Sequence, residues 1–160
     1  MPAGLLAAGL LSAAIALLHV VIIFVGAPAY RYFGAGEQMA RQAEAGSSFP
    51  GLLTATVTIF FAVFELYGLA GAAISPRPPL LRTGLIVIGV IYALRGLLLA
   101  PQVAAYVSNA PHLAPKDLVF SAASLLIGLL FLFGTWQAWP NLRTNQVPGS
   151  LGKSRWLERD

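Results

Sequence analysis

Cysteine is absent from this chain of 160 residues, and charged residues make up only 10% of it. The lack of cysteine excludes disulfide frameworks, thiolate metal sites, iron–sulfur clusters and cysteine nucleophiles. The scarcity of charge, together with 58% hydrophobic residues and a mean hydropathy of +0.76, excludes an ordinary soluble domain. The net charge of +4 comes from cationic residues that form no continuous stripe, so we expect no nucleic-acid binding. The composition is that of an integral membrane protein.

Four segments are long and apolar enough to cross a membrane as helices. A span needs about 20 mostly apolar residues, because a helix satisfies its backbone hydrogen bonds internally. Prolines and glycines separate the segments. The expected spans are residues 2–26, 51–74, 80–100 and 118–138. We therefore predict an all-α, polytopic membrane protein, with an antiparallel four-helix bundle in residues 1–140 and a polar cytoplasmic tail in residues 141–160.

Lysine and arginine are unevenly distributed between the two sides of this bundle. The side that carries both termini has Arg77, Arg82, Arg143, Lys153, Arg155 and Arg159, whereas the other side has Arg31, Arg41 and Lys116. Loops rich in lysine and arginine remain in the cytoplasm. We therefore expect both termini to be cytoplasmic.

A small set of polar side chains lies within the predicted spans. A charge at the centre of a bilayer costs roughly 2.5–3.5 kcal/mol, so ionisable residues there usually face the bundle interior and have partners. Helical spacing places hydroxyl, amide and phenol groups on the same faces as the ionisable residues. The buried polar site predicted in this way comprises Glu65, Arg95, His19, Tyr92, Thr58 and Gln102.

Glu65 and Arg95 are the expected centre of this site. A short proline-rich loop joins their two spans, which should therefore be antiparallel neighbours. We expect the two side chains to form a buried ion pair, either as a proton-sensitive functional group or only as a device that fixes helix register. Phe60 and Phe64 are expected on the opposite face of the Glu65 helix.

Residues 26–46, between the first two spans, read GAPAYRYFGAGEQMARQAEAG. Glu37, Arg41 and Glu44 have the spacing of salt-bridged neighbours on a helix. We predict a short interfacial helix here, on the outer surface, which either caps the bundle or covers a binding site. Tyr30 is expected at the membrane interface. A polar outer vestibule is predicted to include Arg31, Glu37 and His112.

The first half of the chain also carries a family resemblance. His19, the sequence GAPAYRYFGAGEQMA that follows it, and the Glu65-bearing span that ends in YGLAGA resemble a group of small four-span bacterial inner-membrane proteins of unknown function. This resemblance implies a bacterial inner membrane and the same topology. It implies no catalytic residue, substrate or cofactor.

The sequence has no HExxH, GxSxG or Walker A motif in a structural context that would support catalysis. The two histidines are not paired by helical spacing, so we expect no metal site and no cofactor. We favour a non-enzymatic role, in which the polar site binds or moves a small solute or proton, or the protein supports a membrane assembly. The alternatives are a membrane-embedded enzyme or redox accessory acting on a lipid or quinone, and a purely structural subunit. The expected partners are the lipid bilayer and a second copy or another membrane protein.

Overall fold

The computed structural model describes residues 2–108 and 114–143, and within these ranges the chain forms helices and no strand. The helices are α1 (Ala3–Val25), α2 (Ala27–Tyr32), α3 (Glu37–Glu44), α4 (Phe49–Gly71), α5 (Leu81–Leu97), α6 (Leu99–Val107) and α7 (Pro115–Ala138), followed by one 3-10 turn at Asn141–Arg143. Four stretches are long and apolar enough to span a membrane: α1, α4, α5 with α6, and α7. The prediction of an all-helical, four-span membrane protein is confirmed. Most of the predicted tail, residues 144–160, lies outside the described residues.

The third span continues past Pro101, where the sequence analysis ended it. This span runs from Leu81 to Val107 and is interrupted only at Leu98. Proline has no N–H to donate and its ring clashes with the carbonyl four residues earlier, here that of Leu97. Because α5 ends at Leu97 and Pro101 falls in the first turn of α6, the proline breaks the helix without ending the span.

The four spans pack as two close pairs, α1 with α4 and α5 with α7, and α1 also contacts α7. Glycine residues allow the backbones of α1 and α4, and those of α5 and α7, to come close together. A Cβ atom added to Gly68 would lie 2.6 Å from the Cα atom of Gly9, and one added to Gly128 would lie 2.6 Å from the backbone nitrogen of Ala93. The consecutive helices α4 and α5 do touch but pack together less extensively. The first span therefore packs chiefly against the second and the third against the fourth, while the second and third spans are less closely packed.

Residues 27–44 fold over one end of the bundle, and we call them the cap. The predicted short helix between the first two spans is present as α3, and α2 precedes it. Tyr30 is only 2% exposed, and its hydroxyl is hydrogen-bonded to Thr54 Oγ1 at 3.3 Å. Tyr30 is therefore buried between the cap and α4, and its expected position at the membrane interface stays a prediction.

Candidate functional site

A cavity of about 380 Å³ lies between α1, α4, α5 and α7 at the end of the bundle nearest the cap. This volume is within the range of about 300–1,000 Å³ that is usual for small-molecule sites. The wall is mostly apolar, and its polar side chains are His19, Tyr92, Arg95 and Ser124. Three residues of the predicted polar site are therefore brought together around one cavity.

Arg95 is bound by α7 and not by α4. Its Nη1 atom donates a hydrogen bond to Ser121 Oγ at 2.9 Å. Glu65 is half-buried and makes no hydrogen bond or ion pair with any residue that the structure describes. The predicted Glu65–Arg95 ion pair is wrong, because α5 packs chiefly along α7 and brings the buried Ser121 hydroxyl within reach of the guanidinium.

Tyr92 is buried at the wall of the cavity, and its hydroxyl lies 3.0 Å from Ser12 Oγ. The Ser12 hydroxyl donates its single hydrogen to the carbonyl of Ala8 at 2.9 Å. Tyr92 must therefore be the donor to Ser12, which joins α5 to α1. The Tyr92 oxygen retains lone pairs, so it can accept a further hydrogen bond but has no hydrogen to give.

His19 has a fixed tautomer when it is neutral. Its Nδ1 atom lies 2.8 Å from the carbonyl oxygen of Ile15. A carbonyl can only accept, so Nδ1 carries the hydrogen and Nε2 is left with a free lone pair. The imidazole also packs against Phe61, with ring centroids 5.0 Å apart. In its neutral form His19 therefore offers the cavity a hydrogen-bond acceptor.

Four aromatic side chains, Phe61, Phe64, Tyr92 and Phe131, form what we call the aromatic layer. Tyr92 stacks on Phe131 at a centroid distance of 6.0 Å, and lies 5.7 Å from Phe64 and 6.1 Å from Phe61. The layer joins α4, α5 and α7; Phe61, Phe64 and Tyr92 line the floor of the cavity, and Phe131 packs behind Tyr92.

Phe64 was expected to face away from the site, whereas the structure places it half-buried at the cavity wall. The face of α4 that points into the bundle therefore includes both Phe61 and Phe64. The spacing of Phe61 and Phe64, three residues apart, was the signal that both rings share it.

The cavity opens sideways within the spans. Ile91, Arg95 and Ala123 line the cavity and are also exposed at the surface of the bundle. All three lie within helices that are long and apolar enough to cross a membrane. The opening therefore faces the apolar surface of the protein, and Arg95 lies at its edge.

Phe33, a residue of the cap, covers the end of the cavity nearest the cap. The Phe33 ring lies 6.0 Å from that of Phe120 on α7. A second cavity, of about 360 Å³, lies beneath the cap and shares His19, Ile22 and Phe33 with the first. The side chains of His19 and Phe33 therefore lie between the two cavities.

The charged residues of the cap bind one another. Arg31 Nε donates to Glu37 Oε2 at 2.9 Å and Arg31 Nη1 donates to Glu44 Oε1 at 2.6 Å, while Arg41 Nε donates to Glu37 Oε1 at 3.1 Å. These side chains are exposed. Neither Arg31 nor Glu37 lines the first cavity. The third residue of the predicted vestibule, His112, lies outside the described residues.

We expect the Glu37 carboxyl to titrate well below its ordinary range. Hydrogen bonds from Arg31 and then from Arg41 lower the pKa of Glu37 from 4.5 to about 2. The stabilisation by this carboxylate should be fully present above about pH 4.5 and be lost as the pH falls through about 2. The measurement is the carbon chemical shift of the Glu37 carboxyl as a function of pH. The variant Arg31→Gln should move the midpoint upward more than Arg41→Gln does, and an ordinary midpoint in the wild type would contradict this expectation.

The other predicted polar residues lie away from the cavity wall. The Thr58 hydroxyl donates to the carbonyl of Thr54 at 2.9 Å within α4. Gln102 lies on α6, and its Oε1 atom is buried without a hydrogen bond from the described residues. Together with Glu65, these two residues are not part of the arrangement around Arg95. A functional role for them stays a prediction from sequence.

Comparison of the chain with protein-family models, with curated proteins and with solved structures gave no match. The resemblance to small four-span bacterial proteins therefore stays a prediction. In the part of the chain that the structure describes, no three His, Asp or Glu side chains are grouped so that they could hold a metal ion. The functional argument consequently depends on the cavity and its polar side chains.

Proposed function

We propose that the protein is a non-enzymatic binding protein for a small amphipathic molecule that reaches the cavity from the membrane. The observation that carries this proposal is a cavity of about 380 Å³ that opens sideways within the spans at Arg95. The apolar part of the ligand would lie against Phe61, Phe64 and Phe120. Its polar end would lie at Arg95 and His19, where hydrogen-bonding groups meet an otherwise apolar wall.

The same geometry supports binding over movement across the bundle and over catalysis. The aromatic layer crosses from α4 to α7 beneath the cavity, so a solute in the cavity has packed rings below it. The Tyr92 hydroxyl is committed as a donor to Ser12, so it supplies no proton to a ligand. The remaining polar groups serve recognition, which requires placed donors and acceptors but no nucleophile.

Filling the cavity should abolish binding. Ala123 lies at its wall, whereas the preceding residue, Ala122, is exposed and does not line it. We expect native mass spectrometry of the detergent-solubilised protein, with decanol and decanoate as probes, to show one bound probe molecule per chain. Ala123→Phe should remove this binding, because the added ring occupies the cavity, and the matched variant Ala122→Phe should retain it.

The two variants also exclude unspecific uptake. If both lose the probe equally, or if both retain it, binding does not occur in this cavity. If the wild-type chain takes up neither decanol nor decanoate, the proposed function is wrong.

We further propose that the protein lies in a bacterial inner membrane with both termini in the cytoplasm. The excess of arginine and lysine on the side of the termini supports this orientation. Alkaline phosphatase inserted at Gly46, between the cap and α4, should be active outside the cytoplasm, and the same enzyme fused after the final span should be inactive. The opposite pattern would reverse the topology.

A further inference from the structure

We propose that the cavity selects a single-chain amphiphile with a carboxylate head, which Arg95 binds in its ionised form. This inference depends on the proposed binding function and adds the chemistry of the headgroup. It rests on three features of the site: a guanidinium without a counter-ion, its unused donors, and the size and charge of the surrounding wall.

Arg95 lacks an anionic partner among the residues that the structure describes. In the cap, by contrast, Arg31 forms ion pairs with Glu37 and Glu44, and Arg41 forms one with Glu37. Glu65, the other charged residue near the middle of the spans, does not pair with Arg95. A cation within a span is costly unless an opposite charge or hydrogen-bonding groups compensate it. The missing negative charge is what a ligand can supply.

The guanidinium is held in a fixed position while most of its donors remain available. Arginine has five N–H donors, and the bond from Nη1 to Ser121 is the hydrogen bond that fixes the group. Ser121 is 0% exposed, so the bond ties the guanidinium to a hydroxyl inside the bundle. The remaining donors can form two parallel hydrogen bonds to a carboxylate, which is the strongest arrangement that arginine makes with such a group.

The rest of the wall favours one chain and one negative charge. A cavity of about 380 Å³ is near the lower end of the usual range, which fits a single chain better than a two-chain phospholipid. Arg95 is the only lysine or arginine among the described residues at the wall, so a doubly charged phosphate monoester would keep an uncompensated charge.

The test compares probes that share a chain and differ in the head. For the wild-type protein, titrations followed by native mass spectrometry should give at least about tenfold tighter binding of decanoate than of decanol, as expected for charge-assisted hydrogen bonds. Arg95→Gln should remove the preference by weakening decanoate binding while decanol binding changes little. Arg95→Lys should restore part of it, because the charge returns without the paired donors. Arg77→Gln, which removes the same charge near the opposite end of the bundle, should keep the preference.

Each other outcome has a distinct meaning. Equal binding of decanoate and decanol by the wild type would overturn the headgroup proposal and leave the binding function intact, and this comparison requires no variant to fold. Uptake of phosphatidylglycerol in an Arg95-dependent manner, with no uptake of decanoate, would overturn the single-chain carboxylate. Failure of every probe would instead overturn the proposed function itself.

Discussion

Substitution of Gly68 by alanine is expected to separate α1 from α4 and to destabilise the bundle by about 1–3 kcal/mol, the usual cost of overpacking. The added Cβ would lie 2.6 Å from the Cα atom and 2.8 Å from the nitrogen of Gly9, and 3.1 Å from the carbonyl oxygen of Leu5. All three are backbone atoms, so no side-chain rotation can relieve the overlap. The helices must move apart, and the contacts along their whole interface then weaken.

Gly51→Ala is the matched control, because it makes the same substitution in the same helix. A Cβ atom at Gly51 would have no neighbour within 4 Å. Alanine favours a helix over glycine by about 1 kcal/mol, so this variant should be neutral or slightly more stable. Unfolding by increasing dodecyl sulfate, followed by circular dichroism, gives the comparison. Equal stability of the two variants would show that the Gly9–Gly68 contact is not required.

Phe131→Ala is expected to have the second large effect, about 2 kcal/mol or more, through the void that it leaves. The Phe131 side chain is 0% exposed and stacks beneath Tyr92. Within a membrane, burying the ring between helices gains no free energy of transfer from water. The stability lost in Phe131→Ala is therefore that of the ring's packing contacts. The variant should also deepen the cavity, because it removes the ring directly below the floor.

Phe133→Ala provides the control on the same helix, since Phe133 is 56% exposed on the outside of the bundle. We expect little change in its unfolding midpoint. A longer probe, dodecanoate, should gain affinity relative to decanoate in Phe131→Ala but not in Phe133→Ala. If both variants unfold like the wild type, the aromatic layer does not stabilise the bundle.

The number of spans could be predicted from sequence because length and hydropathy alone decide whether a helix can cross a membrane. The ends of the helices could not all be predicted, because a proline can either end a span or only interrupt its helix. Pro101 interrupts the helix of the third span without ending the span. The residues His19, Tyr92 and Arg95 could be singled out because polar groups are rare within spans.

The partners of these residues could not be predicted in the same way. Each span is apolar on most of its faces, so the sequence pattern does not define which helix lies beside which. The second and fourth spans both adjoin the third in sequence, and the opposite charge of Glu65 favoured it over Ser121 as the partner of Arg95, whereas the structure selects Ser121. The close contact between α5 and α7 at Gly128 decides the partner of Arg95. A pattern of small residues in the sequence indicates that such a contact exists, but it does not identify the helix on the other side.

The aromatic layer makes the two ends of the bundle different, because the cavity lies at the end nearest the cap. Because these rings pack at the end of the cavity away from the cap, a ligand of the proposed kind would enter and leave on the cap side of the layer. Under that proposal, occupancy would follow the concentration of the ligand in the leaflet on the cap side of the protein.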